Sequence, residues 1–245
     1  MWVVAHRGAS GHAPENTLAA YRRAVELSAK FIETDLQLSR DSRFVAIHDD
    51  TLERTTNGRG PVHKLTLAEL RELDAGSWFG PQFAGERIPT LDEILRFSRE
   101  FDVVFYLEIK FARAWGVEHT LVGALREAQQ AARAVVLSFD PSTLAALRRL
   151  DPTLMTGYLF DQPSAEVVGR ALQVGARQLA PCGEVATPAL VAEAHRFDLH
   201  VVTWTINEPA QMRAHVRAGV DGIMTDYPDR LVAVLNDGSL KGPAR

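Results

Sequence analysis

Glu33 and Asp35 stand two residues apart in FIETDLQL, and Glu108 and Lys110 stand two apart in VVFYLEIK. Alternation along an extended chain puts Glu33, Asp35 and Gln37 on one face and Ile32, Thr34, Leu36 and Leu38 on the other. The second segment divides the same way, with Tyr106, Glu108 and Lys110 on one face and Phe105, Leu107 and Ile109 on the other. Carboxylates at i and i+2 of a strand lie roughly 6–7 Å apart. Taken out of water uncompensated, such a pair would be very costly. Three carboxylates with no cysteine beside them form an oxygen-only donor set, which suits a hard divalent ion, Mg2+ or Ca2+.

Two histidines fall at the ends of similar apolar runs. WVVAH ends at His6, followed by Arg7, and FVAIH ends at His48. Only SRDSR joins FIETDLQL to FVAIH, too short for a crossover helix, so the two runs should form an antiparallel hairpin. Turning at Asp41–Ser42 without a bulge, it would pair Arg40 with Arg43 and set Asp35 opposite His48, with Val45 and Ile47 on the apolar face. Each signal alone has an ordinary reading: a solvated edge strand, a surface ion pair, a structural histidine. Their convergence at four strand ends points instead to a site. His12, His63, His119, His195, His200 and His215 read as structural residues on helices or loops without partners.

Short β-rich runs alternate with amphipathic helical patterns along the whole chain, which argues for a parallel sheet. No G-x-G-x-x-G follows the first run, so a dinucleotide-binding sheet loses support. About eight repeats in 245 residues fit a (β/α)8 TIM-type barrel in one domain, whose active sites lie at the C-terminal rim of the strands. Nine strand candidates are one too many, and either member of the hairpin could be the addition. The stretch from about 50 to 89 holds five glycines and TLAELREL, with Thr66 and Glu69 at capping-box spacing. It should be an inserted lid or small subdomain.

Composition narrows the partners. A net charge of −4 gives no reason to expect nucleic acid or stable association with an anionic membrane. The lone Cys182 excludes an intrachain disulfide and reads as a small apolar residue at a strand end. No apolar run approaches the roughly 18 residues of a membrane span. The first strand begins at Trp2, leaving no room for a signal peptide, so a cytoplasmic location is expected. Oligomeric state is not legible.

The ordered series of motifs resembles the glycerophosphodiester phosphodiesterases. His-Arg-Gly at 6–8 is followed by Pro-Glu-Asn-Thr at 14–17, IETD, His-Asp at 48–49 and LxRTTxGxG at 52–60. LDAGSWF, ERIPTL, LEIK, WTIN and DGIMTDYP complete the series in order over nearly the whole chain. The resemblance implies a metal-dependent hydrolase that converts glycerophosphodiesters to sn-glycerol 3-phosphate and an alcohol. Carried over position by position, Glu33, Asp35 and Glu108 would hold the metal and His6 and His48 would be the acid–base pair. Arg7 and Lys110 would bind phosphate, and Trp204 would pack on the glycerol. Two other readings remain open. A lysophospholipase D-type enzyme could use Trp78, Phe79 and Phe83 to receive an acyl chain, and a phosphate-binding barrel could lack catalysis. His6 and His48 argue against the latter, since binding alone needs no acid–base pair.

Overall fold

The computed structural model describes residues 1–110 and 116–237. Strand and helix alternate as β1 (Trp2–Ala5), α1 (Leu18–Glu26), β2 (Phe31–Leu38), β3 (Phe44–Ala46), α2 (Leu67–Arg71), α3 (Leu91–Phe101), β4 (Val104–Ile109) and α4 (Val117–Glu127). They continue as β5 (Ala134–Ser138), α5 (Pro141–Leu150), β6 (Met155–Phe160), α6 (Val167–Gln173), β7 (Gln178–Pro181), α7 (Pro188–Arg196), β8 (His200–Thr203), α8 (Pro209–Ala218), β9 (Gly222–Thr225) and α9 (Pro228–Asn236). Among the described residues eight strands run parallel, and β1 closes the ring by pairing with both β9 (Val3↔Ile223) and β2 (Val4↔Phe31). The architecture is a (β/α)8 barrel.

The hairpin settles which strand is extra. β2 belongs to the barrel, between β1 and β4, and β3 pairs antiparallel with its far end. β1 covers the edge of β2 only at Phe31 and Ile32, and β3 takes over that edge from Leu36 to Leu38.

The register differs from the expected one by a residue. Leu36 faces Ala46 and Gln37 faces Val45, so Asp35 lies opposite Ile47, whose N–H donates to the Asp35 carbonyl at 3.0 Å. Arg40 does not pair with Arg43. The cause is the turn: Ser42 sits at φ 58, and Ser39 and Arg43 close a three-residue loop rather than a two-residue one. A slip of one exchanges the faces of a strand. Phe44 and Ala46, not Val45 and Ile47, therefore join the core between barrel and helices, while Val45 and Ile47 pack with Leu52, Val62, Leu70, Ala75 and Ile88.

That second cluster is the core of the insertion. Its helix α2 starts with the expected capping box, Thr66 accepting from the Glu69 N–H and Glu69 from the Thr66 N–H. Arg71 fastens it to α3 through a two-pronged pair with Glu93 at 2.8 and 2.9 Å.

The lumen is layered. Val4, Tyr106, Val135, Leu137, Leu159, Ala180, Val202 and Met224 fill it with apolar surface, joined by Phe31 and Val104 below. On β2 this face changes from Phe31 to Glu33 and Asp35, and on β4 from Val104 and Tyr106 to Glu108, so charge is confined to the C-terminal rim. No helix among the described residues is long and apolar enough to cross a membrane.

Candidate active site

Asp35 and Glu108 are directly opposed on β2 and β4, a pairing of like charges that destabilises a sheet. Glu33, Asp35 and Glu108 are 1%, 0% and 8% exposed, and one oxygen of each lies within 4.8 Å of the others. Burial, then the Asp35 charge, pushes the Glu33 carboxyl well above its usual range, and the same two causes raise Glu108. Burial would raise Asp35 as well, but Lys110 and Arg7 hold it below the usual range. Lys110 Nζ lies 3.1 Å from Asp35 Oδ1 and 2.8 Å from Glu108 Oε1, and Arg7 Nε lies 3.1 Å from Asp35 Oδ2. Three carboxylates against two fixed cations leave one negative charge, and Glu33 Oε1 is buried with no hydrogen-bond partner among the described residues. A hard cation fits this set: all donors are oxygen, close together, and short of positive charge.

Backbone in unusual conformations builds the approach to these groups. Arg7 has φ 55, and its N–H donates to Glu33 Oε2 at 2.9 Å. Gly8 follows at φ 83, where a Cβ would lie 2.6 Å from Ala20 Cβ, so the His-Arg-Gly glycine is required by the close approach of α1. Asn16, also left-handed at φ 55, donates to Asp35 Oδ2 at 2.8 Å and accepts from Thr34 Oγ1 and the Asp35 N–H. Its side chain thereby fills the edge of β2 that neither β1 nor β3 covers.

Each histidine is backed by a carboxylate. His6 Nδ1 lies 2.7 Å from Asp226 Oδ1, and His48 Nδ1 lies 2.7 Å from Asp49 Oδ1. Burial would raise the Asp226 carboxyl, but His6, Asn207 and Ser10 bring it down to about 2. Arg54, His48 and their hydrogen bonds hold Asp49 below the usual range as well. Ionised carboxylates only accept, so Nδ1 of each imidazole is the donor and Nε2 is left to take or give a proton. Burial lowers the His48 imidazole below its ordinary value of 6.5, with Arg7 adding to the effect and Asp35 opposing it.

Although the ladder does not set His48 opposite Asp35, the side chain reaches the site. β3 ends at Ala46, and the backbone beyond it bends, held by Gln37 Nε2 on the carbonyls of His48 and Asp49 at 2.9 and 2.6 Å. A cavity of about 160 Å3 is lined by His6, Arg7, Glu33, His48, Glu108, Lys110, Phe139, Trp204, Thr205 and Met224. All the expected residues but Asp35 line it, and Asp35 lies beneath as partner of Arg7 and Lys110. Trp204 is fixed by its Nε1–H on the Ala180 carbonyl at 2.7 Å and meets Phe139 edge-on at 5.8 Å.

Asn16, Asp49, Asn207 and Asp226 stand within the quoted motifs and Gln37 on the polar face of FIETDLQL, but the sequence alone assigns none of them a role. Asp226 and Asn207 could have been found by treating the ends of β9 and β8 as the ends of β2 and β4 were treated. The histidines set aside are not all partnerless: His12 pairs with Asp229 at 2.8 Å and His195 with Asp221 at 2.9 Å, while His200 opens β8 rather than a helix or loop. Of the aromatics in the insertion, Phe79 meets Trp78 and Phe83 edge-on, at 5.6 and 5.5 Å between ring centroids, and none of the three lines the cavity.

Three clustered carboxylates that could hold a cation and two imidazole–carboxylate pairs are gathered at the C-terminal mouth of a (β/α)8 barrel, an arrangement able to neutralise an anionic substrate and move protons. Residues 6–230 match the glycerophosphoryl diester phosphodiesterase family. A glycerophosphodiester phosphodiesterase of Caldanaerobacter subterraneus subsp. tengcongensis is 40% identical over 238 residues, covering 96% of this chain and 98% of its own. The structure of an Oleispira antarctica phosphodiesterase in complex with the product sn-glycerol-3-phosphate superposes with a TM-score of 0.89 at 31% identity, over 97% of each chain. A glycerophosphodiester phosphodiesterase of Agrobacterium tumefaciens gives 0.82 at 29% identity, over 94% of this chain and 98% of that one. The chain belongs to the glycerophosphoryl diester phosphodiesterase family.

Proposed function

We propose that the protein hydrolyses glycerophosphodiesters to sn-glycerol 3-phosphate and an alcohol, using one divalent cation, Mg2+ or Ca2+. The observation that carries this reading is one small cavity walled by both carboxylate-backed imidazoles and by Glu33 and Glu108 of the tricarboxylate cluster. Family membership and the product held by the Oleispira relative support the same substrate class. The volume, about 160 Å3, lies below the roughly 300–1,000 Å3 of sites for larger ligands. It suits a glycerol phosphate better than a lipid with an acyl chain, and the insertion's aromatics offer that chain no wall.

Glu33, Asp35 and Glu108 would hold the cation, which when bound polarises a phosphoryl oxygen as a Lewis acid. Arg7 and Lys110 bind the nonbridging oxygens, whose negative charge would otherwise repel a nucleophile. Trp204 packs on the glycerol. The attacking oxygen is the substrate's own glycerol 2-hydroxyl. Thr205 brings a hydroxyl to the wall, but it hydrogen-bonds to neither imidazole among the described residues. One imidazole Nε2 takes the 2-hydroxyl proton as the new P–O bond forms. The other protonates the departing alcohol oxygen as its P–O bond breaks, leaving a cyclic phosphate. Water then opens the ring with the two roles reversed. Well-oriented intramolecular attack saves roughly 7–11 kcal/mol of barrier.

The test is turnover of glycerophosphocholine, glycerophosphoethanolamine and a lysophospholipid, with Mg2+, Ca2+ or chelator. Release of sn-glycerol 3-phosphate from the soluble diesters supports the reading, and cleavage of the lysolipid alone overturns it.

A further inference from the structure

Arg54, near the start of the insertion, grips the carboxylates that stand behind two cavity residues. Its Nη1 and Nη2 donate to the two oxygens of Glu15 at 2.7 and 2.8 Å, and its Nε and Nη2 donate to the two oxygens of Asp49 at 2.6 and 2.9 Å. The guanidinium is therefore forked onto two carboxylates at once. Each carboxylate carries the contact inward. Glu15 Oε1 accepts from Arg7 Nη1 at 2.8 Å, and Asp49 Oδ1 accepts from His48 Nδ1 at 2.7 Å. One side chain thus braces two cavity residues on different segments, neither of which it touches.

The Arg54 side chain is 44% exposed, where a single ion pair contributes about 0–1 kcal/mol and only a forked network such as this one contributes more. What both forks share is that each ends on a residue of the cavity, which points to position. Without Arg54, Glu15 would turn with Arg7 alone, and Asp49 would lose two of the hydrogen bonds that fix it beneath the His48 ring. Arg54 follows Asp49 by five residues, so the first turn of the insertion returns directly to the rim it departed from.

We propose that Arg54 is a positioning residue, acting through Asp49 on His48 and through Glu15 on Arg7, and that delivering it is the insertion's contribution to catalysis. This rests on the reading of His48 and Arg7 given above. Arginine is required rather than any cation, because an ammonium cannot present two forks.

The test is steady-state turnover of glycerophosphocholine by the cation-loaded protein and its Arg54→Ala, Arg54→Lys, Asp49→Asn and Arg54→Ala/Asp49→Asn variants. Misplaced catalytic groups cost on the order of 10²-fold, and kcat of Arg54→Ala should fall by about that much with little change in melting temperature. Arg54→Lys should fall as far. Added guanidinium ion should restore several-fold of the Arg54→Ala loss, and in the Asp49→Asn background the Arg54→Ala change should lower kcat by less than it does alone, because only the Glu15–Arg7 branch is left to lose, the non-additivity of residues acting in one network. Unaltered kinetics in Arg54→Ala, full activity in Arg54→Lys, losses that multiply in the double variant, or no response to guanidinium would each overturn the proposal. An inactive parent protein would instead fail the underlying functional reading, before any variant is compared.

Discussion

His6 Nδ1 and Asp226 Oδ1, 220 residues apart in the chain, lie 2.7 Å from each other. They follow β1 and β9, the first and last strands of the barrel, so closing the ring assembles the pair. Asn207 completes it, donating to Asp226 Oδ2 at 2.6 Å while accepting from the Asp226 N–H at 2.9 Å. The imidazole at residue 6 is oriented by residues more than 200 positions further along the chain.

Replacing either imidazole should remove its proton transfer. His6→Ala and His48→Ala are each expected to lower kcat on the order of 10²–10⁴-fold, the usual contribution of a general acid or base. Asp226→Asn should lower kcat in the same direction with KM nearly unchanged, because it disturbs the ring's orientation and not the phosphate clamp. Steady-state kinetics check this, and effects confined to KM would make the histidines binding residues.

Much of this site is legible in the sequence, and the rest is hidden for identifiable reasons. Polar alternation in FIETDLQL and VVFYLEIK reveals Glu33, Asp35, Glu108 and Lys110 because strands leave no other use for charge on a lumen face. His48 is found through a register that the structure does not have. A left-handed Ser42 moves the pairing by one residue, and the bend held by Gln37 brings the ring in regardless. Asp49 and Asp226 stand in quoted motifs but gain no role from them, because they lie beyond strand ends, where alternation no longer sorts side chains. Arg54 stands in LxRTTxGxG without a legible role: only four of the 27 basic residues are lysines, so no single arginine stands out by its charge.

The metal-free protein should be strained by its own site. The Glu33 carboxyl, raised above its usual 4.5 by burial and by Asp35 and Glu108, binds a proton more tightly folded than unfolded. Stability without cation should therefore fall as pH rises from about that ordinary value through the raised one. Glu33→Gln, which keeps an acceptor for the Arg7 N–H, should raise the melting temperature of the chelated protein at neutral pH and abolish the increase produced by Mg2+ or Ca2+. Thermal denaturation with and without chelator checks both, and a chelated variant less stable than its parent would contradict the account.

The insertion should tolerate loss of its surface aromatics and not of its core. Trp78→Ala and Phe83→Ala are expected to leave kcat/KM for a soluble glycerophosphodiester within a few-fold, since neither side chain lines the cavity. Leu70→Ala, at a fully buried position of the insertion's own cluster, should destabilise by about 2–5 kcal/mol. Kinetics and denaturant melts separate the two, and a collapse of kcat/KM in the Trp78 variant would restore a substrate-covering role to that ring.

A diester lacking the glycerol 2-hydroxyl tests the internal nucleophile. Its cleavage should be slower by far more than 10²-fold if the hydroxyl attacks, given the roughly 7–11 kcal/mol that intramolecularity supplies. Cleavage within a few-fold of the normal rate would assign the attack to external water.

The most direct test of the whole account is the product formed from glycerophosphocholine by the purified protein, followed with cation present and after exhaustive chelation. With Mg2+ or Ca2+, sn-glycerol 3-phosphate and choline should form in equal amounts, with no turnover in chelator and recovery when the cation is returned. Full activity after exhaustive chelation, or no sn-glycerol 3-phosphate with either cation, would contradict it.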